Sequence, residues 1–166
     1  MYAFLLEHKL LNKHQHGFRT RRSTNTALLS VIDKWLQGMD NSQVTAVVYL
    51  DLAKAFDTVR HPILMEHLSL MGINGAEYDW FISYLANRKQ RVVYDGVPSA
   101  AKPITCGVPQ GFALGLLLFL IYINLLPECI KYGEINMFAD DTALFFAGKD
   151  SIEIEHNLNA DLKLIS

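Results

Sequence analysis

Two aspartates between two apolar runs constrain the fold of this chain more than any other feature. Residues 135–146 read INMFADDTALFF, and Asp140 and Asp141 separate two stretches of strand length. Apolar runs of this length on either side of a two-residue polar pair are typical of a β-hairpin. We therefore predict strands at 135–139 and 142–146 with the two aspartates as the turn. Aspartate tolerates left-handed backbone, so turn formation is in itself a sufficient explanation of one such pair.

A third aspartate follows another predicted strand. Residues 45–50 read TAVVYL, a continuous apolar and β-branched run that predicts a strand buried on both faces and ending at Asp51. Burying a carboxylate there is costly unless a cation compensates it. If this strand and the hairpin are neighbours, three carboxylates converge, and hard oxygen ligands favour Mg²⁺ over zinc. Two ions about 3.5–4 Å apart would serve an in-line phosphoryl transfer.

Composition limits the class of protein. The chain has 166 residues, of which 51% are hydrophobic and 19% charged, as expected for one globular domain with a core. The net charge of −2 excludes a uniformly basic nucleic-acid binder, yet the first 22 residues hold five basic residues and one acidic residue. The spacing of Cys106 and Cys129 indicates neither a disulfide framework nor a zinc site. We expect reduced thiols in an intracellular protein of the nucleus or the cytoplasm.

Helical patterns alternate with these strands. Helices are predicted at 24–37, 62–71, 76–86 and 151–165. Gly38 is predicted to end the first of them. Ile152, Leu158, Leu162 and Ile165 are predicted to form the buried face of the last. Trp35, Trp80 and Tyr132 are expected in the core.

Two further segments complete the predicted elements. Residues 91–94 and 101–105 are predicted as a strand pair that turns at Asp95-Gly96 and Pro98. Residues 112–126, FALGLLLFLIYINLL, form an apolar run shorter than the roughly 20 residues of a membrane span, so we predict a buried helix that breaks at Pro127. The preceding GVPQG (107–111) fits a strand-to-helix connection. Its glycines also allow close approach to a ligand, and a helix N-terminus favours anions.

Five blocks of sequence together resemble a known family. They are QHGFR (15–19), YLDLAKAFDTV (49–59), YLANRKQRV (84–92), GVPQG followed by LGLLLFLIYIN, and FADD (138–141). Their order and spacing are similar to those of the reverse transcriptase domain of non-LTR (LINE-like) retrotransposons. The resemblance covers the chain from about residue 10 to its end.

The resemblance implies a fold. It is an α+β right-hand polymerase whose small antiparallel palm sheet is backed by helices. The chain would be a single reverse transcriptase domain, 1–166, with fingers at about 1–44 and 61–104 and palm at about 45–60 and 105–166. The thumb is expected to be absent, as in a fragment of a longer polyprotein that carries the thumb and the other domains.

The resemblance also implies chemistry. An RNA-directed DNA polymerase adds deoxynucleotides from dNTPs to a DNA primer 3′-hydroxyl on an RNA template, with two Mg²⁺ ions, or Mn²⁺ in their place. Asp51 and Asp140 would hold the ions and Asp141 would complete the cluster. Phe56 would be the aromatic gate that excludes a ribose 2′-hydroxyl, with an ordinary core phenylalanine as its alternative. No membrane is implied as a partner.

Other blocks supply binding residues by the same resemblance. Gln110 and Gly111 would lie against the incoming nucleotide and the template base. Arg19 and Arg22 would contact the triphosphate, whereas Arg21 is interpreted as solvated. The remaining basic cluster would bind template or duplex phosphates and consists of Arg88, Lys89 and Arg91.

Three positions depart from the family pattern and keep alternatives open. Phe112 replaces a small residue and would crowd the template base, Leu116 replaces a proline, and Leu125 replaces an acid. One alternative is a catalytically inactive remnant of a retroelement that retains nucleic-acid binding, and the polymerase itself is expected to be weak or silent as an isolated fragment. Another is a Mg²⁺-dependent phosphohydrolase, which leaves GVPQG, QHGFR and YLANRKQRV unexplained.

Overall fold

A computed structural model of the chain describes residues 1–109, 111 and 113–165. The helices are α1 (Tyr2–Glu7), α2 (Thr24–Asp40), α3 (His61–Leu70), α4 (Ala76–Leu85), α5 (Ala113–Ile123) and α6 (Ser151–Ile165), with a 3₁₀ turn at Leu126–Cys129. The strands are β1 (Val44–Leu50), β2 (Lys89–Gln90), β3 (Val93–Tyr94), β4 (Val97–Pro98), β5 (Lys102–Pro103), β6 (Glu134–Phe138) and β7 (Asp141–Gly148). The prediction of mixed helices and small antiparallel sheets is confirmed.

The chain divides into two compact units, which are described separately. The first unit comprises residues 1–53 together with those from 123 onward, and the second unit comprises residues 54–122. Across the described ranges, no helix has the length and apolar character that crossing a membrane requires.

The first unit is built on a three-stranded antiparallel sheet in the order β1-β7-β6. The predicted hairpin is present as β6 and β7, but its turn is displaced by one residue. Phe138 pairs with Asp141, so the turn residues are Ala139 and Asp140, and Asp141 begins β7. The prediction of an Asp140-Asp141 turn was therefore wrong, because contacts from outside the hairpin hold Ala139 in a left-handed conformation with φ of 58°.

Strand β1 lies at an edge of this sheet. The predicted strand is confirmed, but its predicted burial on both faces is wrong, since Tyr49 is 73% exposed. Among the strands that the structure describes, β1 pairs only with β7. A continuous apolar run predicts a strand, but it does not predict whether that strand has a neighbour on one side or on both.

Helices α2 and α6 cover opposite faces of the sheet. Leu144 packs with Ile154 and Leu158 of α6, whereas Ala147, on the other face of β7, lies beside Gly38 of α2. Ile152, predicted on the buried face of α6, is exposed, because that face is formed by Ile154, Leu158 and Asp161.

Helix α2 begins with a capping box and continues past its predicted end. The Ser23 hydroxyl accepts the Thr26 N–H, and the Thr26 hydroxyl accepts the Ser23 N–H. Gly38 does not end the helix. It is buried inside α2, where a Cβ atom would come within 2.8 Å of the Thr45 hydroxyl, so glycine allows the helix to pack closely against β1.

The second unit combines α3, α4 and α5 with two short ladders. β2 pairs with β5, and β3 pairs with β4. Asp95 and Gly96 both have positive φ, 48° and 75°, as a type I′ turn requires. The turn at Asp95-Gly96 is therefore confirmed, but the predicted pairing of 91–94 with 101–105 is wrong, because β3 pairs with β4 directly across the turn and β5 pairs with the earlier strand β2. The apolar α5 buries its Leu118–Ile121 stretch completely, as expected for a core helix.

Two aromatic residues lie outside the core. Trp80 of the second unit is 52% exposed and Tyr132 of the first unit is 51% exposed, so their predicted burial is wrong. Residue type indicates a tendency to be buried, but it does not identify which face of an element meets the core.

Candidate active site

The three aspartates lie at one end of the sheet of the first unit. In the β1–β7 register Leu50 is opposite Thr142, so Asp51 follows β1 where Asp141 begins β7. Asp140 occupies the adjoining turn. The sheet therefore brings to one end the three carboxylates that sequence reasoning predicted to converge.

These carboxylates are at least partly accessible to solvent. Asp51 and Asp141 are exposed and Asp140 is half-buried. Within the described ranges none of the three accepts a hydrogen bond or forms an ion pair. In the described part of the chain, no three His, Cys, Asp or Glu side chains form a group that could hold a metal ion. The site offers uncommitted hard oxygen donors, which suit Mg²⁺, without a closed ligand set.

A buried glutamine holds the turn. Gln15, only 1% exposed, accepts the Ala139 N–H at Oε1 (2.8 Å) and donates from Nε2 to the Ala139 carbonyl (3.1 Å). The same Oε1 accepts the Gly17 N–H (2.7 Å). Sequence reasoning missed this residue, because a glutamine in a basic segment carries no signal for a partner 124 positions away.

The N-terminal segment lies along the outer edge of β6. The His16 N–H donates to the Met137 carbonyl (2.8 Å), and the Met137 N–H donates to the His14 carbonyl (2.9 Å). Gly17 approaches the turn so closely that a Cβ atom there would overlap the backbone nitrogen of Ala139. Gln15 therefore forms an isolated parallel bridge with Met137 at the edge of the sheet, beside the turn.

The predicted triphosphate arginines also support this segment. Arg19 Nη1 donates to the carbonyls of Asn12 (2.6 Å) and Gln15 (3.2 Å). Arg22 Nη1 donates to the Lys13 carbonyl (2.8 Å). Burial, and then the charge of Arg22, lower the pKa of the Arg19 guanidinium. Both arginines line a cavity of about 610 Å³. Their role in binding the triphosphate stays a prediction. Arg21 is exposed.

Phe56 lies beside Gly107 and Val108, the first two residues of GVPQG, in the second unit. The Phe56 ring is 9% exposed and its centroid is 4.6 Å from that of Phe119. The Val108 N–H donates to the Phe56 carbonyl (2.8 Å). Gly107 has φ of 90°, and a Cβ there would come within 2.8 Å of the Asp57 carbonyl oxygen, so glycine is required.

The remaining loop positions are described only in part. Gln110 and Phe112 lie outside the described residues. Gly111 is exposed with φ of 89°, and Leu116 and Leu125 are half-buried. The nucleotide contacts predicted for Gln110 and Gly111 stay predictions.

One residue of the second basic cluster, Arg88, lies over a half-buried aromatic ring. The Arg88 guanidinium carbon lies 5.3 Å from the centre of the Tyr84 ring. Tyr84 stacks on Trp80 with ring centroids 5.2 Å apart, which sequence reasoning missed because it assigned Trp80 to the core. Lys89 and Arg91 are exposed.

Comparison with known proteins identifies the class to which this fold and site belong. The family model described as "Reverse transcriptase (RNA-dependent DNA polymerase)" matches residues 1–164. The chain therefore belongs to the reverse transcriptase family.

Individual relatives identify the branch of that family. The chain is 32% identical over 148 residues to the RNA-directed DNA polymerase from mobile element jockey of Drosophila melanogaster, a match that covers 85% of this chain and 16% of the relative. It is 31% identical over 142 residues to the probable RNA-directed DNA polymerase from transposon X-element of the same species, covering 82% and 15%. A Pol polyprotein from element R2 of Popillia japonica is 35% identical over 78 residues, covering 47% and 13%.

The resemblance to non-LTR retrotransposons is confirmed by these relatives. The chain spans 16% of the length of the jockey protein and a similar share of the others, so it corresponds to one part of much longer proteins.

Proposed function

We propose that this chain carries the catalytic aspartates of an RNA-directed DNA polymerase that extends a DNA primer on an RNA template with dNTPs. The observation that carries the proposal is the placement of Asp51, Asp140 and Asp141 at one end of an antiparallel sheet with uncommitted carboxylates. The proposal includes the right-hand arrangement, with palm at about 45–60 and 105–166 and fingers at about 1–44 and 61–104. The thumb and further domains would belong to a longer polyprotein.

The carboxylates would hold the divalent cations. Asp51 and Asp140 would bind two Mg²⁺ ions, for which Mn²⁺ can substitute, and Asp141 would complete the cluster. When bound, the ions supply Lewis acidity at the reacting oxygens. The chain itself supplies the alignment, because the β1–β7 register and the hairpin turn determine where each carboxylate leaves the backbone.

Other side chains would bind the nucleotide. Phe56 would exclude the ribose 2′-hydroxyl, and its buried ring packed on Phe119 supports a rigid steric filter. Gln110 and Gly111 would lie against the nucleotide and the template base, in line with the family resemblance. Arg19 and Arg22 would attract the triphosphate through the positive charge that they bring to the cavity they line.

Primer extension tests the proposal. The chain is incubated at low salt with a primed RNA template, Mg²⁺ and dNTPs, beside the double variant Asp140→Ala, Asp141→Ala. We expect the double variant to lose at least about a hundredfold in extension rate, because it removes proposed metal ligands and loss of an outer-shell partner alone costs about 10- to 100-fold. The matched control is Asp33→Ala, Asp40→Ala, which removes the same charge from exposed positions of α2 and is expected to extend normally.

The other outcomes identify the alternatives. Nucleic-acid binding without extension by any of the three proteins would indicate the inactive remnant. Metal-dependent hydrolysis of a simple phosphate ester in the absence of nucleic acid would indicate a phosphohydrolase. Equal extension by the parent and the Asp140→Ala, Asp141→Ala variant would mean that the turn is not part of the active site.

A further inference from the structure

We propose that Gln15 is a positioning residue of the metal-binding turn. Its side-chain amide holds Ala139 in the left-handed conformation and thereby fixes the directions in which Asp140 and Asp141 leave the hairpin. This inference rests on the proposed function, because it gives Gln15 its role through the aspartates.

The geometry of the Gln15 amide is that of a clamp. Both backbone groups of Ala139 are bound by this one side chain, the N–H by Oε1 (2.8 Å) and the carbonyl by Nε2 (3.1 Å). A carboxamide is suited to this because it presents an acceptor and a donor side by side. The amide has no freedom to turn over, since Oε1 also accepts the Gly17 N–H (2.7 Å). With 1% exposure, Gln15 makes these bonds with little competition from water.

The backbone held by this clamp is one that Ala139 would not favour alone. Its φ of 58° lies in the left-handed region, which residues with a Cβ atom rarely adopt. Ala139 is the first of the two turn residues, and Asp140, the second, is not among the residues with positive φ. Tight hairpins that need positive φ at this place ordinarily use glycine. External hydrogen bonds must therefore stabilise the turn.

The register of the clamp is set by its neighbours. His16 and His14 form backbone hydrogen bonds to Met137, two residues before the turn residue Ala139. Gly17 permits the segment to lie against Ala139, because any Cβ there would overlap its nitrogen. The pairing of His14 and His16 with Met137 and the close contact of Gly17 with Ala139 thus direct the Gln15 side chain toward the turn.

Mn²⁺ binding and amide exchange test the inference together. The variant Gln15→Met keeps the side-chain length and removes the hydrogen bonds. We expect its Mn²⁺ dissociation constant, measured by paramagnetic resonance of the free ion, to rise roughly 10- to 100-fold. The Ala139 amide proton, followed by NMR, should exchange faster with solvent because its acceptor is gone.

The matched control is Asn124→Leu. Asn124 is also a buried amide that holds the N-terminal segment, accepting the Asn12 N–H (2.7 Å) and donating to the Leu10 carbonyl (2.9 Å), but it does not bind the turn. We expect Asn124→Leu to leave Mn²⁺ affinity and Ala139 exchange unchanged. Equal effects of the two variants would overturn the inference, since Gln15 would then be only another anchor of the segment.

A rescue experiment separates positioning from general stability. Glycine at 139 adopts positive φ without strain, so Gln15→Met, Ala139→Gly should bind Mn²⁺ more tightly than Gln15→Met alone. Because relief of strain at 139 can also raise global stability, the free energy of unfolding of both variants is measured by denaturant titration. Positioning predicts tighter Mn²⁺ binding by the double variant under conditions where both variants are fully folded. If Gln15→Met does not fold, Gln15→Asn retains the amide on a shorter stem and is expected to weaken Mn²⁺ binding in the same direction.

The two proposals can fail separately. Should Asp140→Ala, Asp141→Ala bind Mn²⁺ as the parent does, the metal does not bind at the turn and the proposed function fails. The exchange rate of the Ala139 amide still tests the clamp in that case. Unchanged exchange and unchanged Mn²⁺ affinity in Gln15→Met would overturn the inference while the aspartate site stands.

Discussion

At the scale of single residues, His16 couples the N-terminal segment to α2 through contacts that need a neutral ring. It is 6% exposed, its Nδ1 lies 3.0 Å from the Thr26 hydroxyl, and its Nε2 lies 3.3 Å from Arg22 Nη1. Because the guanidinium can only donate, Nε2 must accept and Nδ1 must carry the proton. Burial, followed by the charges of Arg22 and Arg19, lowers the pKa of His16.

Stability should therefore fall on acidification. Below the ordinary histidine pKa of 6.5 the unfolded chain takes up a proton that the folded ring resists, so the free energy of unfolding decreases as the pH drops. The limit for one proton is about 1.4 kcal/mol per pH unit. His14, whose pKa is lowered mainly by burial, adds in the same direction. We expect His16→Gln to show a shallower decline in urea unfolding between about pH 7.5 and pH 5.5.

The control for this experiment is His156→Gln, which changes an exposed histidine of α6. It should decline with pH as the parent does. Identical declines for the parent and His16→Gln would contradict the prediction.

The same scale shows what sequence could and could not reveal about the site. Asp51, Asp140 and Asp141 were predictable because strand patterns alone place them at strand ends. The conformation of the turn was not, since it depends on Gln15, whose partner Ala139 is 124 residues away. Local preference puts two aspartates in a turn, and a tertiary contact shifted that turn by one residue.

At the scale of elements, α6 is tied to the loop before β6 by a buried carboxylate. Asp161 is fully buried and accepts the N–H groups of Lys131 (2.9 Å), Tyr132 (3.2 Å) and Gly133 (2.7 Å). Three backbone donors surround one charged acceptor, an arrangement in which each hydrogen bond is strengthened. The contact determines where β6 begins relative to α6.

We expect removal of this carboxylate to destabilise the first unit. Asp161→Ala leaves buried N–H groups without acceptors and should lower the free energy of unfolding by about 3 kcal/mol, measured by denaturant titration. Asp161→Asn keeps one acceptor oxygen and should fall in between. The control Glu155→Ala, on the exposed side of α6, should change stability by less than about 0.5 kcal/mol. A loss below about 1 kcal/mol for Asp161→Ala would contradict the role of the carboxylate.

Sequence predicted the existence of the elements better than their ends and faces. The bounds predicted for α3, α4 and α6 lie within a residue or so of those found, because the capping residues, prolines and glycines that mark helix ends act locally. The prediction for Gly38 was wrong because glycine commonly ends a helix, whereas this glycine lies inside α2 and allows close packing against Thr45. The edge position of β1 was likewise hidden, since neighbours in a sheet are set by the whole chain.

At the scale of the whole molecule, positive charge is distributed unevenly over a chain of net charge −2. Basic residues crowd the first 22 positions and recur after α4, where Arg88 lies over Tyr84. Sequence blocks in family order were sufficient to predict the class of fold. The division into two units has no such signal, because it depends on long-range packing rather than on a linker.

The basic cluster after α4 gives the last prediction, which concerns binding of the whole chain to nucleic acid. If Arg88 and Arg91 contact phosphates, each releases counterions on binding, and each contact contributes about 0.9 to the slope of log affinity against log salt for a duplex. The double variant Arg88→Ala, Arg91→Ala should therefore bind a primed RNA template more weakly and lower that slope by roughly 1 to 2. The control Lys131→Ala, Lys149→Ala removes the same charge from exposed positions of the first unit. Binding is measured by fluorescence anisotropy over a series of KCl concentrations. A local contact predicts a loss of slope in the first variant alone, whereas equal losses in both would mean that only net charge matters.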